Sequence, residues 1–280
     1  MKCFVRSFFL FASLNAIAQT QSGTLIVLNA SQDEIVVAAD SRSYSAVAQF
    51  DDRCKITALG NQLIFAASGD TGYGPTNGRP LYWDSHTIAK KIFLRLSQKR
   101  ATQPMPLRIA QAWGKEIKDR IQADFKRDGP EGVLFGVEGN TLTSAVFAGF
   151  YESAPLIVIA EVTYNTSAEG HVEINFAITN VFRKPKTVQI GRVDIANEFF
   201  AGKTPRSIQW RRELALAEPP DSDTVAVHAI YAVRLSIDNY PLVNIGGKML
   251  AATGGPIDAV RLRMGNSIDW IQRKANCPDN

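Results

Sequence analysis

Two short apolar, β-branched runs, residues 24–29 and 35–39, flank a polar break at residues 31–34. That alternation predicts two strands joined by a tight turn. A hairpin centred on Gln32 places Thr24 directly across from Asp40, a hydroxyl and a carboxylate on one face. A second pair of runs, 53–59 and 62–67, flanks Gly60-Asn61, a dipeptide suited to the φ > 0 positions of a two-residue turn. Ser68-Gly69-Asp70 is predicted to close this hairpin, and residues 72–80 to form a loop, being rich in Gly and Pro. Alternation puts Arg53, Lys55 and Thr57 on one face, with Cys54, Ile56 and Ala58 on the other. A lysine in such a run must reach water or a carboxylate. The plainest explanation is an edge strand.

Helical spacing follows. Ser85 can cap a helix whose Ile88, Ile92, Phe93 and Leu96 form one stripe. After a break at 103–106, Ala110, Trp113, Ile117, Ile121 and Phe125 form another, and both stripes read as core. Period two returns at 133–137, 144–150, 155–163 and 172–179, with turns at 139–140, 152–154 and 166–170. Helical stretches near 193–200 and across 224–239 precede a final strand at 256–264. Strands, two helices, strands, helices and a strand predict an α+β layer fold. Helices would pack on the outer faces of two stacked antiparallel sheets, in one domain.

At 280 residues and 45% hydrophobic, the chain has ample material for a large core. Lys2 and Arg6 before an apolar run at 7–14, then the small-x-small Ala16-Ile17-Ala18, have the form of a signal peptide over residues 1–18. Its apolar run is far shorter than the ~20 residues that span a bilayer. Export of a protein with no membrane span is the expectation. Without Lys2 and Arg6 the net charge of +4 falls to +2, with no basic run, so nucleic acid is not an expected partner. Removing the signal takes Cys3 with it. Cys54 and Cys277 are then free to pair in an oxidising compartment or to remain two buried thiols. His86, His171 and His228 show no metal-ligand spacing, and neither a metal nor a cofactor is expected.

The combination of Gly23-Thr24, then Val37-Ala38-Ala39-Asp40-Ser41-Arg42, then Lys55, then a strand ending at Gly69-Asp70 resembles the proteasome-type branch of the N-terminal-nucleophile hydrolases. The likeness continues through both helices and returns at Thr253-Gly254-Gly255. It implies a four-layer αββα sandwich over residues 24–280 and self-cleavage at Gly23–Thr24, with residues 19–23 as a short propeptide. It further implies Thr24 as nucleophile, Asp40 and Lys55 as its charged partners, the Gly69 amide as oxyanion donor, and support from Arg42 and Thr253. Peptide substrates and ring-like homo-oligomers are what the resemblance implies as partners. The chain departs from the family pattern at Leu250, where an Asp is usual, at Thr253, where a Ser is usual, and around Ile190-Gly191-Arg192. Ser22 is a competing nucleophile if the first strand carries an insertion.

The chemistry explains the grouping. A free α-amine titrates near ~7.7–8.0, so at neutral pH it can accept the proton of its own threonine hydroxyl. A lysine cation nearby favours the neutral, basic amine, and a buried lysine needs a carboxylate to keep its charge. Two other readings stay open: a non-catalytic scaffold or binding subunit of this fold, and an acylase or amidohydrolase acting on small amides.

Overall fold

The computed structural model describes residues 17–22, 24–44, 49–51, 53–75, 82–134, 139–217, 223–245, 248–265, 268–275 and 277. The elements are β1 (Ile17–Ser22), β2 (Leu25–Ala30), β3 (Glu34–Ala39), β4 (Ser43–Tyr44), β5 (Gln49–Phe50), β6 (Ile56–Leu59), β7 (Leu63–Pro75) and β8 (Trp83–Asp84). Two helices follow, α1 (Ser85–Ser97) and α2 (Met105–Val133), then β9 (Thr141–Tyr151), β10 (Ala154–Thr166), β11 (Val172–Phe182) and β12 (Lys186–Gly191). The chain continues through α3 (Asp194–Ala201), α4 (Pro205–Ala217), α5 (Thr224–Asn239), β13 (Leu242–Ile245), β14 (Lys248–Ala251), β15 (Asp258–Arg263) and β16 (Ile268–Gln272). It is an α+β protein.

Among the described residues the larger sheet runs β11-β10-β9-β7-β1-β4-β5, with β6 and β8 also on β7; the smaller runs β12-β2-β3-β15-β16. Neighbouring strands pair antiparallel in both. Three apolar clusters make the core. Trp113, Ile117, Phe65 and Phe147 belong to the one between α1, α2 and the larger sheet. Ile26, Leu28, Ile64 and Val146 lie between the sheets, and Leu25, Val27, Phe199 and Ala229 between the smaller sheet and α3–α5. β2 is therefore buried on both faces, which explains why it reads as a continuous apolar run.

Several expectations change in detail. Residues on β2 and β3 pair as Ile26 with Ala39 and Ala30 with Ile35, one residue away from the predicted register. Asp40 consequently sits across from Leu25, and the Asp40 amide donates to the Leu25 carbonyl at 3.4 Å. The turn is responsible: the Ser31 amide bonds the Glu34 carbonyl, while its hydroxyl accepts from the Glu34 amide, which shifts the turn's centre past Gln32. Leu59 pairs with Leu63, so the second turn holds three residues rather than two, with Gly60 at φ 60°. β7 does not stop near Ala67 but runs on to Pro75, because β1 supplies it with a ladder partner. Asp84, not Ser85, caps α1 by accepting from the Thr87 amide at 2.7 Å. Val133 ends α2 instead of opening a strand; residues 135–138 lie outside the described residues. α4, β12, the β13–β14 hairpin and β16 were not anticipated from the sequence pattern.

Cys54 and Cys277 form a disulfide with Cα atoms 5.6 Å apart across 223 residues of sequence. Closing so long a loop raises the free energy of the unfolded chain by about 5 kcal/mol in the chain-entropy account. No helix among the described residues is long and apolar enough to cross a membrane.

Candidate active site

The chain passes from one sheet to the other at Thr24. Before it, β1 lies between β7 and β4, with Ser22 paired to Gly69 and Gln21 to Tyr44; after it, β2 joins the smaller sheet. Residues 1–16, the bulk of the expected signal segment, and Gly23, on one side of the expected cleavage bond, lie outside the described residues. Thr24 itself is fully buried. Its carbonyl accepts from the Ser68 hydroxyl at 3.2 Å and from the Arg192 amide at 3.1 Å. Its own hydroxyl has no hydrogen-bond partner among the described residues. A buried hydroxyl left this way costs about 1–3 kcal/mol. Such atoms call for an explanation, and a nucleophile awaiting its reaction is one.

Ser68 links Thr24 to Gly69. Gly69 has φ 86°, and a Cβ there would overlap the Leu142 carbonyl oxygen, so only glycine fits. Thr143 fixes the same corner by donating to the Ser68 carbonyl at 3.0 Å. Gly191, at φ 91°, approaches from β12 so closely that a Cβ would overlap the Thr24 carbonyl oxygen. The segment that departs from the family's serine turn is thus packed directly on the candidate nucleophile's backbone.

Asp40 ties Thr24's neighbour to the opposite loop. Its Oδ1 accepts from the Leu25 amide at 3.0 Å and its Oδ2 from the Gly254 amide at 2.9 Å. Burial raises its carboxyl above the ordinary carboxylate value, opposed by the Lys55 charge and by backbone amides at Gly254, Leu25 and Arg42. Lys55 is buried too, which excludes the edge-strand explanation; it donates to the Arg42 carbonyl. Burial lowers its pKa to about 8, with the Asp40 charge opposing the shift. No direct ion pair joins the two. They act on each other through space, each charge favouring the other. With an N–H aimed at each Asp40 oxygen, a proton there would face a donor, so the hydrogen bonds select the carboxylate and the lysine cation.

Arg42 is a brace, not a member of the reacting group. It clamps Asp51 through Nε at 2.6 Å and Nη2 at 2.7 Å, while Nη1 reaches the Ala251 and Thr253 carbonyls, each at 3.2 Å. The Gly254 carbonyl accepts from the Ser41 and Arg42 amides, both at 3.1 Å. The Asp40-binding loop is thereby set by Arg42. Thr253 donates its hydroxyl to the Ser236 carbonyl on α5 at 3.0 Å. Leu250 pairs with Val243 in the β13–β14 hairpin.

His86, at the start of α1, is half-buried, meets the Thr57 hydroxyl at 2.8 Å and is pushed down to about 4 by desolvation. It stays neutral at working pH. His228 packs edge-on against Phe199. No cluster of ligating side chains able to hold a metal occurs among the described residues.

No protein family matches the chain, and no curated protein does. Among solved structures it is similar to the Anbu (Gly-1) mutant from Hyphomicrobium sp. strain MC1, with a TM-score of 0.44 and 16% identity over 90% of this chain and 86% of that chain. A likeness of this size assigns neither family nor activity, and the functional reading rests on the geometry above.

Sequence reasoning gave no role to the Ser68 hydroxyl and the Arg192 amide, which hold the Thr24 carbonyl, or to the Gly254 amide on Asp40. Ser68 is adjacent to the glycine it supports, but nothing in its own spacing marks it.

Proposed function

We propose that the chain is an exported, proteasome-like hydrolase of αββα architecture that cleaves amide bonds in peptides, with Thr24 as its nucleophile. One observation carries the reading: a buried Thr24 hydroxyl, without a hydrogen-bond partner among the described residues, stands where a strand paired to β7 at Gly69 runs into it. The place an extended peptide would occupy is defined by β1, whose backbone pairs antiparallel with residues 69–75.

In self-processing, the Thr24 hydroxyl attacks the Gly23 carbonyl carbon and its proton goes to the Thr24 nitrogen. The C–N bond breaks, and the Gly23 ester that forms is hydrolysed by water. The freed α-amine then serves as base for the same hydroxyl in each turnover. Lys55 as a cation keeps that amine neutral, Asp40 keeps Lys55 charged, and the Gly69 amide receives the developing oxyanion. The Cys54–Cys277 disulfide supports the oxidising, extracytoplasmic location. Activity there is independent of ATP and directed at short or unfolded peptides, and ring-like self-assembly accompanies it.

N-terminal sequencing of the exported protein should find Thr24 first, and Thr24→Ala should retain residues 19–23. An intact Gln19 terminus in the native protein sinks the self-processing claim. Leu250 and the engaged Thr253 hydroxyl favour a second reading, a non-catalytic scaffold of the same fold. Correct processing followed by inactivity on both fluorogenic peptides and acyl-amides decides for the scaffold; acyl-amides alone would mark an acylase.

A further inference from the structure

A second buried lysine–aspartate pair lies behind the first, and the reaction just described does not use it. Lys274 Nζ lies 2.7 Å from Asp258 Oδ2, and the Lys274 amide donates to Asp258 Oδ1 at 3.0 Å. The same ammonium donates to the Arg53 carbonyl at 2.5 Å. Asp258 opens β15 and pairs across from Ala39, the residue before Asp40. The Cys277 amide donates to the Lys274 carbonyl at 3.1 Å, so the cystine and the lysine share one turn. That turn is bonded to Arg53 and Cys54, the two residues before Lys55.

We propose that Lys274 is a positioning residue for Lys55, and that the Cys54–Cys277 disulfide is a redox-sensitive clasp holding it in place. The proposal rests on the hydrolase reading above. Residues 53–55 precede the β6 ladder, which begins at Ile56. Their placement depends on the bond from the Arg53 amide to the Ser41 carbonyl, on Lys274 and on the disulfide. Cys54 is half-buried, so a small reductant can reach the bridge.

Electrostatics adds a second route. Asp40 and Asp51 favour the Lys55 cation, Lys274 and Arg53 oppose it, and neutral His86 faces it from α1. Opening the clasp moves the Lys274 charge away and lets water reach Lys55. Both changes raise the Lys55 pKa. Reduction by a small dithiol converts the bridge to two thiols with two electrons and two protons, the dithiol closing to its own cyclic disulfide.

The test assays processed protein before and after dithiothreitol, with thiol titration to confirm that the bridge has opened. The expected result is about a 10-fold fall in kcat at neutral pH with KM little changed, and an alkaline limb moved up by about one pH unit. Lys274→Met combined with Asp258→Asn should move the limb in the same direction with the disulfide intact, whereas Lys274→Arg should keep the native profile. A rate and profile indifferent to reduction overturn the proposal, and so does a lower rate with an unmoved limb, which marks mere loosening. If native protein hydrolyses nothing, the hydrolase reading fails on its own. An NMR titration of Lys55 in lysine-labelled protein still decides the clasp, an upward shift on reduction supporting it and an unchanged titration overturning it.

Discussion

Two buried lysine–aspartate pairs sit close together in this molecule, and their hydrogen bonds go to different places. Lys274 and Asp258 close on each other, the lysine's ammonium and amide occupying one carboxylate oxygen each. Asp40 instead places its oxygens on the amides of Leu25 and Gly254, and Lys55 gives one bond to the Arg42 carbonyl. An ammonium has three donors, and among the described residues that of Lys55 gives its bond to a backbone carbonyl and not to the aspartate. A pair satisfied by its own members braces the fold. One held by the surrounding backbone remains available to charge chemistry at a neighbouring group.

Substituting each lysine should separate these roles most sharply. Lys55→Met should lower peptide hydrolysis and self-processing about 10³-fold, the size of losing a preorganised electrostatic contact at the reacting atoms. Its stability should fall by only about 1 kcal/mol, because Asp40 retains its amide donors. Lys274→Met should do the reverse in weight. It strands a buried carboxylate and should cost about 3 kcal/mol in denaturant unfolding, and adding Asp258→Leu should restore most of it. Equal stability losses in the two lysine variants would erase the distinction.

Asp40→Asn probes the backbone-held pair from its other side. An asparagine has one acceptor and an NH₂, so one of the amides of Leu25 and Gly254 must face a donor. A stability loss of about 2 kcal/mol is expected, with hydrolysis reduced more than in any variant of Asp258 that folds. Chemical denaturation and a fluorogenic peptide assay measure both.

How much of this was legible in the sequence depends on whether the determinant was local. The helix stripes through Ile88 and Ile92, and through Trp113 and Ile117, are buried as their spacing predicts. Thr24, Asp40, Lys55 and Gly69 form a set only through the family resemblance, and the structure joins them in two groups: Thr24 with Gly69 through Ser68, and Asp40 with Lys55 by charge. Register was lost by one residue because the Ser31 side chain sets where the chain reverses, past the Gln32 centre that the polar break suggests. α4 escaped because Ile208 and Leu216 are exposed on it, which blurs the apolar period. Lys274 could not be read at all: its partners lie 16 and 221 positions away, and only the folded chain brings them together.

The most gradual effect lies in stability against pH. Lys55 titrates near 8 in the fold and at 10.5 when unfolded. Between those values the unfolded chain binds more protons, so unfolding free energy should rise with pH by about 1 kcal/mol per unit. The contribution is complete above the unfolded value and is lost as pH falls through about 8. Asp40, raised by burial, works in the opposite sense at the acid end, where its contribution is present below 3.8 and is lost as pH climbs through the folded value. The measurement is the difference between native protein and Lys55→Met in urea melts across the alkaline range. The native protein should gain on the variant as pH rises. Parallel curves would mean that Lys55 is not desolvated, and that the backbone-held pair is as settled as the one behind it.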